Sequence, residues 1–195
     1  PINESMLHNG APHNSNDAYS YAKRMIEVHS KAYREQYNDN FVCVIPTNVY
    51  GEYDNFSLED GHVVPALIHK CYLAKQNNKP FVVYGSGKPL RQFIYSTDLA
   101  KLILWVLENY SGEPIILSPN ESDEVSIKNV AELIAKEFNY DNIKFDTSKS
   151  DGQFKKTADN TKLIDLYGEF KFTTIEDGIK KSVNWFMNNY KIYRK

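Results

Sequence analysis

The chain lacks any apolar run approaching the ~20 residues a membrane-spanning helix needs, so no bilayer crossing is expected. Cysteine is scarce: Cys43 and Cys71 each sit inside an apolar run, away from any metal or disulfide spacing. That placement predicts buried free thiols in a reducing compartment. No signal-peptide pattern opens the chain, which makes the cytosol the expected location and leaves the sequons at Asn3, Asn55 and Asn120 idle. No basic run is interleaved with aromatics, and 23 Lys+Arg against 25 Asp+Glu give a net charge of −2, which argues against nucleic acid. The pairs Lys180-Lys181 and Arg194-Lys195 read as a solvated face and a frayed tail. His62 and His69 lie seven apart without a third ligand in register, so no metal is expected.

Glycine is present but not in the patterns that matter most. None of the nine falls in G-x-G-x-x-G or G-x-x-G-x-x-G, the turn that opens a dinucleotide-binding fold. "GSGK" (85–88) lacks both the upstream glycine and the following Ser/Thr of a phosphate loop, and reads as a hairpin turn. The first residue is Pro1, in a polar, loop-like stretch that looks like the middle of a longer chain.

What is present alternates between helix and strand signals. Tyr21, Met25, Val28 and Ala32 recur at helical spacing, predicting a helix from Asn16 to about Tyr37. "FVCVI" (41–45) has no polar face, as in a central parallel strand covered on both sides, and "TNVYG" then leads into an irregular loop. A helix is predicted over His62–Lys75, with Pro65 tolerated in its first turn. "FVVYGSGKPLRQFIY" (81–95) reads as a hairpin, and "DLAKLILWVLENY" as a well-buried helix capped by Ser96 or Thr97. "PIILS" (114–118) and "IKFD" (143–146) are short strands around a helix capped by Ser126, and Thr173…Glu176 forms a capping box for the last helix. The alternation indicates an α/β fold.

Three Tyr-x-x-x-Lys pairs occur: Tyr19…Lys23, Tyr140…Lys144 and Tyr167…Lys171. The second enters a strand, where residues four apart are about 13 Å distant, and the third spans Gly168. Only Tyr19 and Lys23 share a continuous helix face, ahead of a strand that ends in an open polar loop, the place where α/β sheets carry active sites. An ammonium beside a phenol favours the phenolate and brings a pKa near 10 toward neutrality, which suits proton transfer to a carbonyl oxygen as hydride arrives. Spacing and context leave two readings open: a proton-transfer pair, or two surface residues on one helix face.

The segments Tyr19-Ser-Tyr-Ala-Lys23-Arg24, "VIPTNVYG" (44–51), "DNF" (54–56), "GHVVPALIHK" (61–70), "RQFIYSTDLA" (91–100) and "KSDGQFKKTADN" (149–160) occur in order along the chain. Together they resemble the extended short-chain dehydrogenase/reductases. Among these, they look like the NADPH-dependent epimerase-reductases that convert GDP-4-keto-6-deoxy-D-mannose to GDP-L-fucose. The tyrosine–lysine and Pro-Thr-Asn-x-Tyr-Gly motifs are common to many extended relatives, whereas the His62-Val-Val-Pro and Lys-Ser-Asp151-Gly segments are narrower. The resemblance implies that Tyr19 donates the proton in reduction, that Lys23 tunes it and binds the nicotinamide ribose, and that Pro46, Thr47, Asn48 and Val49 line the NADP(H) site. It implies that His62 is the acid of the preceding epimerisation and a cofactor contact, and that Lys70, Tyr84, Arg91 and Asp151 hold the GDP-sugar. Read on their own residues, a histidine such as His62 at a helix start is more often a cap or surface residue, and Arg91 is equally a solvated strand charge. Position 84 departs from the tryptophan expected there, though tyrosine keeps a flat face.

The implied fold is the C-terminal part of a Rossmann-type NAD(P)-binding sheet plus a smaller α/β substrate-binding lobe. Residues 1–60 and 96–120 would belong to the former and 61–95 and 121–195 to the latter, the glycine-rich N-terminal half being absent. The family's assisting serine and its cysteine base have no counterpart; Cys43 and Cys71 are in the wrong places. The family is usually a homodimer. Two alternatives stand beside this reading. One is a non-catalytic truncated or split product that binds a GDP-sugar or a partner half. The other is a sister nucleotide-sugar 4-epimerase or 4,6-dehydratase, against which the His62 segment argues.

Overall fold

The computed structural model describes residues 1–192, so the expected frayed tail at Arg194-Lys195 lies outside the described residues. After two short 3-10 turns come α1 (Asp17–Tyr37), β1 (Val44–Pro46), β2 (Asn48–Tyr50), α2 (Val63–Gln76), β3 (Phe81–Tyr84), β4 (Leu90–Arg91), β5 (Phe93–Tyr95) and α3 (Ser96–Asn109). Then follow β6 (Ile115–Leu117), β7 (Val125–Ser126), α4 (Ile127–Glu137), β8 (Ile143–Asp146), α5 (Thr161–Tyr167) and α6 (Ile175–Asn189). β1 pairs with β6, β2 with β5 and β3 with β8, all parallel, while β4 and β7 pair antiparallel. Parallel pairs separated by helices make this an α/β fold.

The expected hairpin over 81–95 does not form. β3 takes β8 as its partner and β5 takes β2. "FVVY" and "FIY" carry apolar residues on both faces, and parallel pairing under helices covers both, whereas a hairpin leaves one wet. β2 and α5 form where a loop and no element were expected, respectively. The last helix is capped one residue later than the predicted box: the Thr174 hydroxyl accepts from the Asp177 amide. Ser126 caps α4 as anticipated, accepting from the Asn129 amide.

Two helices are less covered than their composition implies. α3 buries only Asp98, Leu102 and Val106, and Leu107 is 72% exposed. Its apolar residues encircle the helix, and the described residues cover one face. α1 turns Tyr21, Met25, Val28 and Ala32 outward and buries only Glu27, which pairs with His8 at 2.7 Å, while Arg24 donates to the Gly10 carbonyl at 2.7 Å. β1 is likewise half-buried, with one partner strand among the described residues instead of cover on both sides.

The apolar interior divides into two clusters. One joins Phe56, Ile68, Phe81, Val130, Ile134, Ile179 and Phe186 from α2, β3, α4 and α6, together with the loop before α2. The other joins Ile94, Leu102, Ile115, Leu117 and Leu163 beneath α3 and α5. Tyr50, at the end of β2, packs edge-on against Phe93 and Tyr95, and its buried hydroxyl has no hydrogen-bond partner among the described residues. α6 passes this ring at Gly178: a Cβ there would overlap the Tyr50 hydroxyl and stand 2.7 Å from Cζ. Gly178→Ala is therefore expected to cost about 1–3 kcal/mol through overpacking, read as a lower urea midpoint. Tyr50→Phe removes an unsatisfied polar atom, so alone it is expected to be neutral or stabilising, and in the double variant to recover part of the loss. An unchanged midpoint in Gly178→Ala would show that α6 does not press on the ring.

Candidate functional site

Because β3 and β8 run parallel, Tyr84 and Asp146 end at the same edge, and the segments that follow meet there. Gly85 and Gly87 give the turn after β3 its positive φ angles of 85° and 73°. A Cβ on Gly85 would collide with the Asp151 carboxylate. That closeness lets Asp151 accept from the Ser86 amide at 2.6 Å and from the Ser86 hydroxyl at 2.7 Å. These two bonds, the hydroxyl first, hold the Asp151 carboxyl below the ordinary aspartate range, helped by the Lys88 charge. A depressed value means the tether is complete at neutral pH and weakens only as pH falls through it.

Three cations surround the same edge. The Lys70 ammonium lies 3.9 Å from the centre of the Tyr84 ring and that of Lys149 lies 5.9 Å from it. Partial burial lowers the Lys70 pKa, so its charge is thinly solvated. Tyr84 itself is 57% exposed, so much of the ring still meets solvent beside the Lys70 ammonium. Arg91, on β4, donates to the carbonyls of Leu90 (2.7 Å), Gln153 (2.8 Å) and Phe154 (3.5 Å). Its guanidinium thus braces the 153–154 backbone as well as adding charge. Of the four residues anticipated as a GDP-sugar site, Lys70 lies against Tyr84, Asp151 is tied to the turn that follows Tyr84, and Arg91 reaches the backbone two and three residues beyond Asp151. Ser86 and Lys149 belong to this edge too. Ser86 was hidden inside "GSGK", whose fit to a turn concealed that its serine faces a distant aspartate.

The remaining anticipated residues are more scattered. Lys23 lies over Tyr19, its ammonium 5.5 Å from the ring centre, as spacing on one helix turn requires. The Tyr19 side chain is 59% exposed, and no hydrogen bond or ring contact joins it to His62 among the described residues. His62 stands exposed at the N-cap of α2 and makes no side-chain cap. Pro46 and Asn48 are exposed and Thr47 and Val49 half-buried around the end of β1. The Asn48 side-chain amide donates to the Gln92 carbonyl at 2.8 Å, whereas the Thr47 hydroxyl is buried with no partner among the described residues. Both cysteines are free: burial pushes the Cys71 thiol up to about 12 and raises Cys43, so neither suits a base at neutral pH. Cys43 is half-buried, not fully buried as expected. Among the described residues no cluster of His, Cys, Asp and Glu could hold a metal ion, and no helix is long and apolar enough to cross a membrane.

Residues 1–117 match the model of the NAD dependent epimerase/dehydratase family. The chain belongs to that family. Within it, the chain is 55% identical over its full length to the GDP-L-fucose synthase of Dictyostelium discoideum, covering 62% of that protein. It is 49% identical to the probable GDP-L-fucose synthase of Drosophila melanogaster, covering 64%. All of the chain superposes on the crystal structure of a GDP-L-fucose synthetase from Naegleria fowleri bound to NADP, with a TM-score of 0.97, 51% identity and 60% of that chain covered. The fold is thus of the Rossmann type that this family uses. The chain spans about three fifths of the length of these relatives. Those shares do not bear out the expectation that it is their C-terminal part.

Ser86→Ala removes the leading cause of the low Asp151 pKa, so the carboxyl is expected to titrate closer to the ordinary aspartate value of about 4. Carboxyl-carbon shifts followed against pH test this. An unmoved titration would mean that Ser86 does not hold the carboxylate.

Proposed function

We propose that this chain carries the nucleotide-sugar site of an NADPH-dependent enzyme. The complete protein would epimerise GDP-4-keto-6-deoxy-D-mannose at C3 and C5 and reduce it at C4 to GDP-L-fucose. The observation that carries this reading is the rim at the ends of β3 and β8. There a partly desolvated Lys70 lies against an exposed Tyr84, Asp151 is tethered to Ser86, and Arg91 braces the backbone just beyond Asp151. Cations offset a diphosphate, a flat ring stacks on a base or sugar face, and a carboxylate accepts from sugar or base donors while repelling phosphate. The likeness to the GDP-L-fucose synthase of Dictyostelium discoideum and the probable one of Drosophila melanogaster supports this substrate.

NADPH would supply the hydride. Its nicotinamide side is proposed at Pro46–Val49, where the buried, partnerless Thr47 hydroxyl fits a carboxamide that both donates and accepts. Tyr19 is the proposed proton donor to the C4 oxygen, with Lys23 one helix turn on as its tuner. His62 is proposed as the acid that reprotonates carbon next to the ketone, on the face opposite to the proton removed. The proposed division puts 1–60 with 96–120 around the cofactor and 61–95 with 121–195 around the sugar; the apolar clusters cross it, since Tyr50 and Phe56 pack with α2 and α6, and Ile94 and Leu163 pack with α3 and β6. A homodimer is proposed on the outward apolar stripe of α1, and the cytosol on the free thiols.

The test uses the complete protein with GDP-4-keto-6-deoxy-D-mannose, NADPH and deuterated water. Tyr19→Phe is expected to slow NADPH oxidation by about 10²–10⁴-fold while deuterium still enters at C3 and C5, and His62→Ala to stop that entry. NADPH oxidation at the wild-type rate in Tyr19→Phe, or deuterium entry intact in His62→Ala, would overturn the corresponding role.

A further inference from the structure

Residues 151–160 leave the rim at Asp151 and run as an extended strap between β4 and the turn before β7. Leu90 bridges Lys155, and its amide donates to the Phe154 carbonyl at 2.9 Å. The fully buried Gln92 side chain donates to the carbonyls of Pro119 (2.8 Å) and Ala158 (3.2 Å) and accepts from the Ala158 amide at 2.7 Å. On the strap's other side stands Glu124, whose side chain is only 6% exposed. It accepts from the Thr157 hydroxyl and lies 3.4 Å from the Lys155 ammonium, which also reaches Glu121 at 2.5 Å. A carboxylate so withdrawn from water persists only when paired and hydrogen-bonded. Both of its partners are strap residues, and neither belongs to the element that carries Glu124.

We propose that Glu124 is a positioning residue for the nucleotide-sugar site: by clasping Lys155 and Thr157 it fixes the strap, so that Asp151 stands against Ser86 before ligand arrives. The inference rests on reading the rim as that site. Without the clasp the strap samples other positions, and binding must order it, so affinity falls while the reacting groups stay in place.

Glu124→Gln keeps the shape and an acceptor for Thr157 but removes the charge facing Lys155, and Lys155→Met removes the ammonium. In the complete protein each is expected to raise KM for the keto-sugar about five- to tenfold with kcat within twofold, the double variant being no worse than either alone. Calorimetry with GDP as the probe is expected to show a matching loss of affinity. If the wild-type protein does not bind GDP, the rim reading fails and the clasp's role fails with it. If it binds GDP and Glu124→Gln binds equally well, the clasp is overturned while the rim reading stands. A fall in kcat and thermal midpoint at unchanged KM would make Glu124 merely structural and would also overturn the proposal.

Discussion

Parallel pairing of β3 with β8 decides where the chemistry of this chain gathers. The register from Phe81 opposite Ile143 to Tyr84 opposite Asp146 makes both strands end at one edge. Phe81 and Val83 point into the core, so Val82 and Tyr84 face the other way, and a one-residue slip would bury Tyr84 and expose Val83. The segments after the two strands, far apart in sequence, then lie within reach of each other, and the Ser86–Asp151 bonds join them. α2 and α4 pack on the same cluster and deliver Lys70 to the ring of Tyr84.

The charges at this rim are unequal in effect. Two unit charges 4 Å apart attract by about 1 kcal/mol in water but about 4 kcal/mol at the effective dielectric of a protein surface. Lys70, partly withdrawn from water, is therefore worth more to an anion than the more distant Lys149. Arg91 already gives hydrogen bonds to three carbonyls, yet its charge is not neutralised by them, so it braces the strap and still attracts anions. Asp151 brings a carboxylate to the turn after β3, and its two oxygens are both held by Ser86, which turns negative charge toward the loop.

Helix periodicity made α1, α2, α4 and α6 readable, and short β-rich runs made β3, β6 and β8 readable, because each signal is local. Partner choice is not local. "FVVY" and "FIY" look the same in a hairpin as in two parallel pairs, and only the location of Ile143–Asp146 and Asn48–Tyr50 decides between them. Lys70, Tyr84, Arg91 and Asp151 were singled out through family likeness alone; the fold adds the contact of Lys70 with Tyr84 and the tie of Asp151 to Ser86. Ser86 and Glu124 left no such trace, since a serine in a turn and a glutamate in a polar loop are ordinary until the fold supplies their partners. The outward stripe of α1 was legible as amphipathic but not as to which face would be covered, because Arg24 and Glu27 find partners in the segment before the helix.

Amide chemical shifts recorded during titration of the complete protein with GDP would locate the ligand directly. A site at the ends of β3 and β8 predicts that the largest changes fall on Lys70, Tyr84, Ser86, Arg91 and Asp151. The contradicting result is a map centred elsewhere, such as the depression of about 540 Å³ lined by Glu4, Tyr110, Lys162 and Asp165, with the rim unmoved.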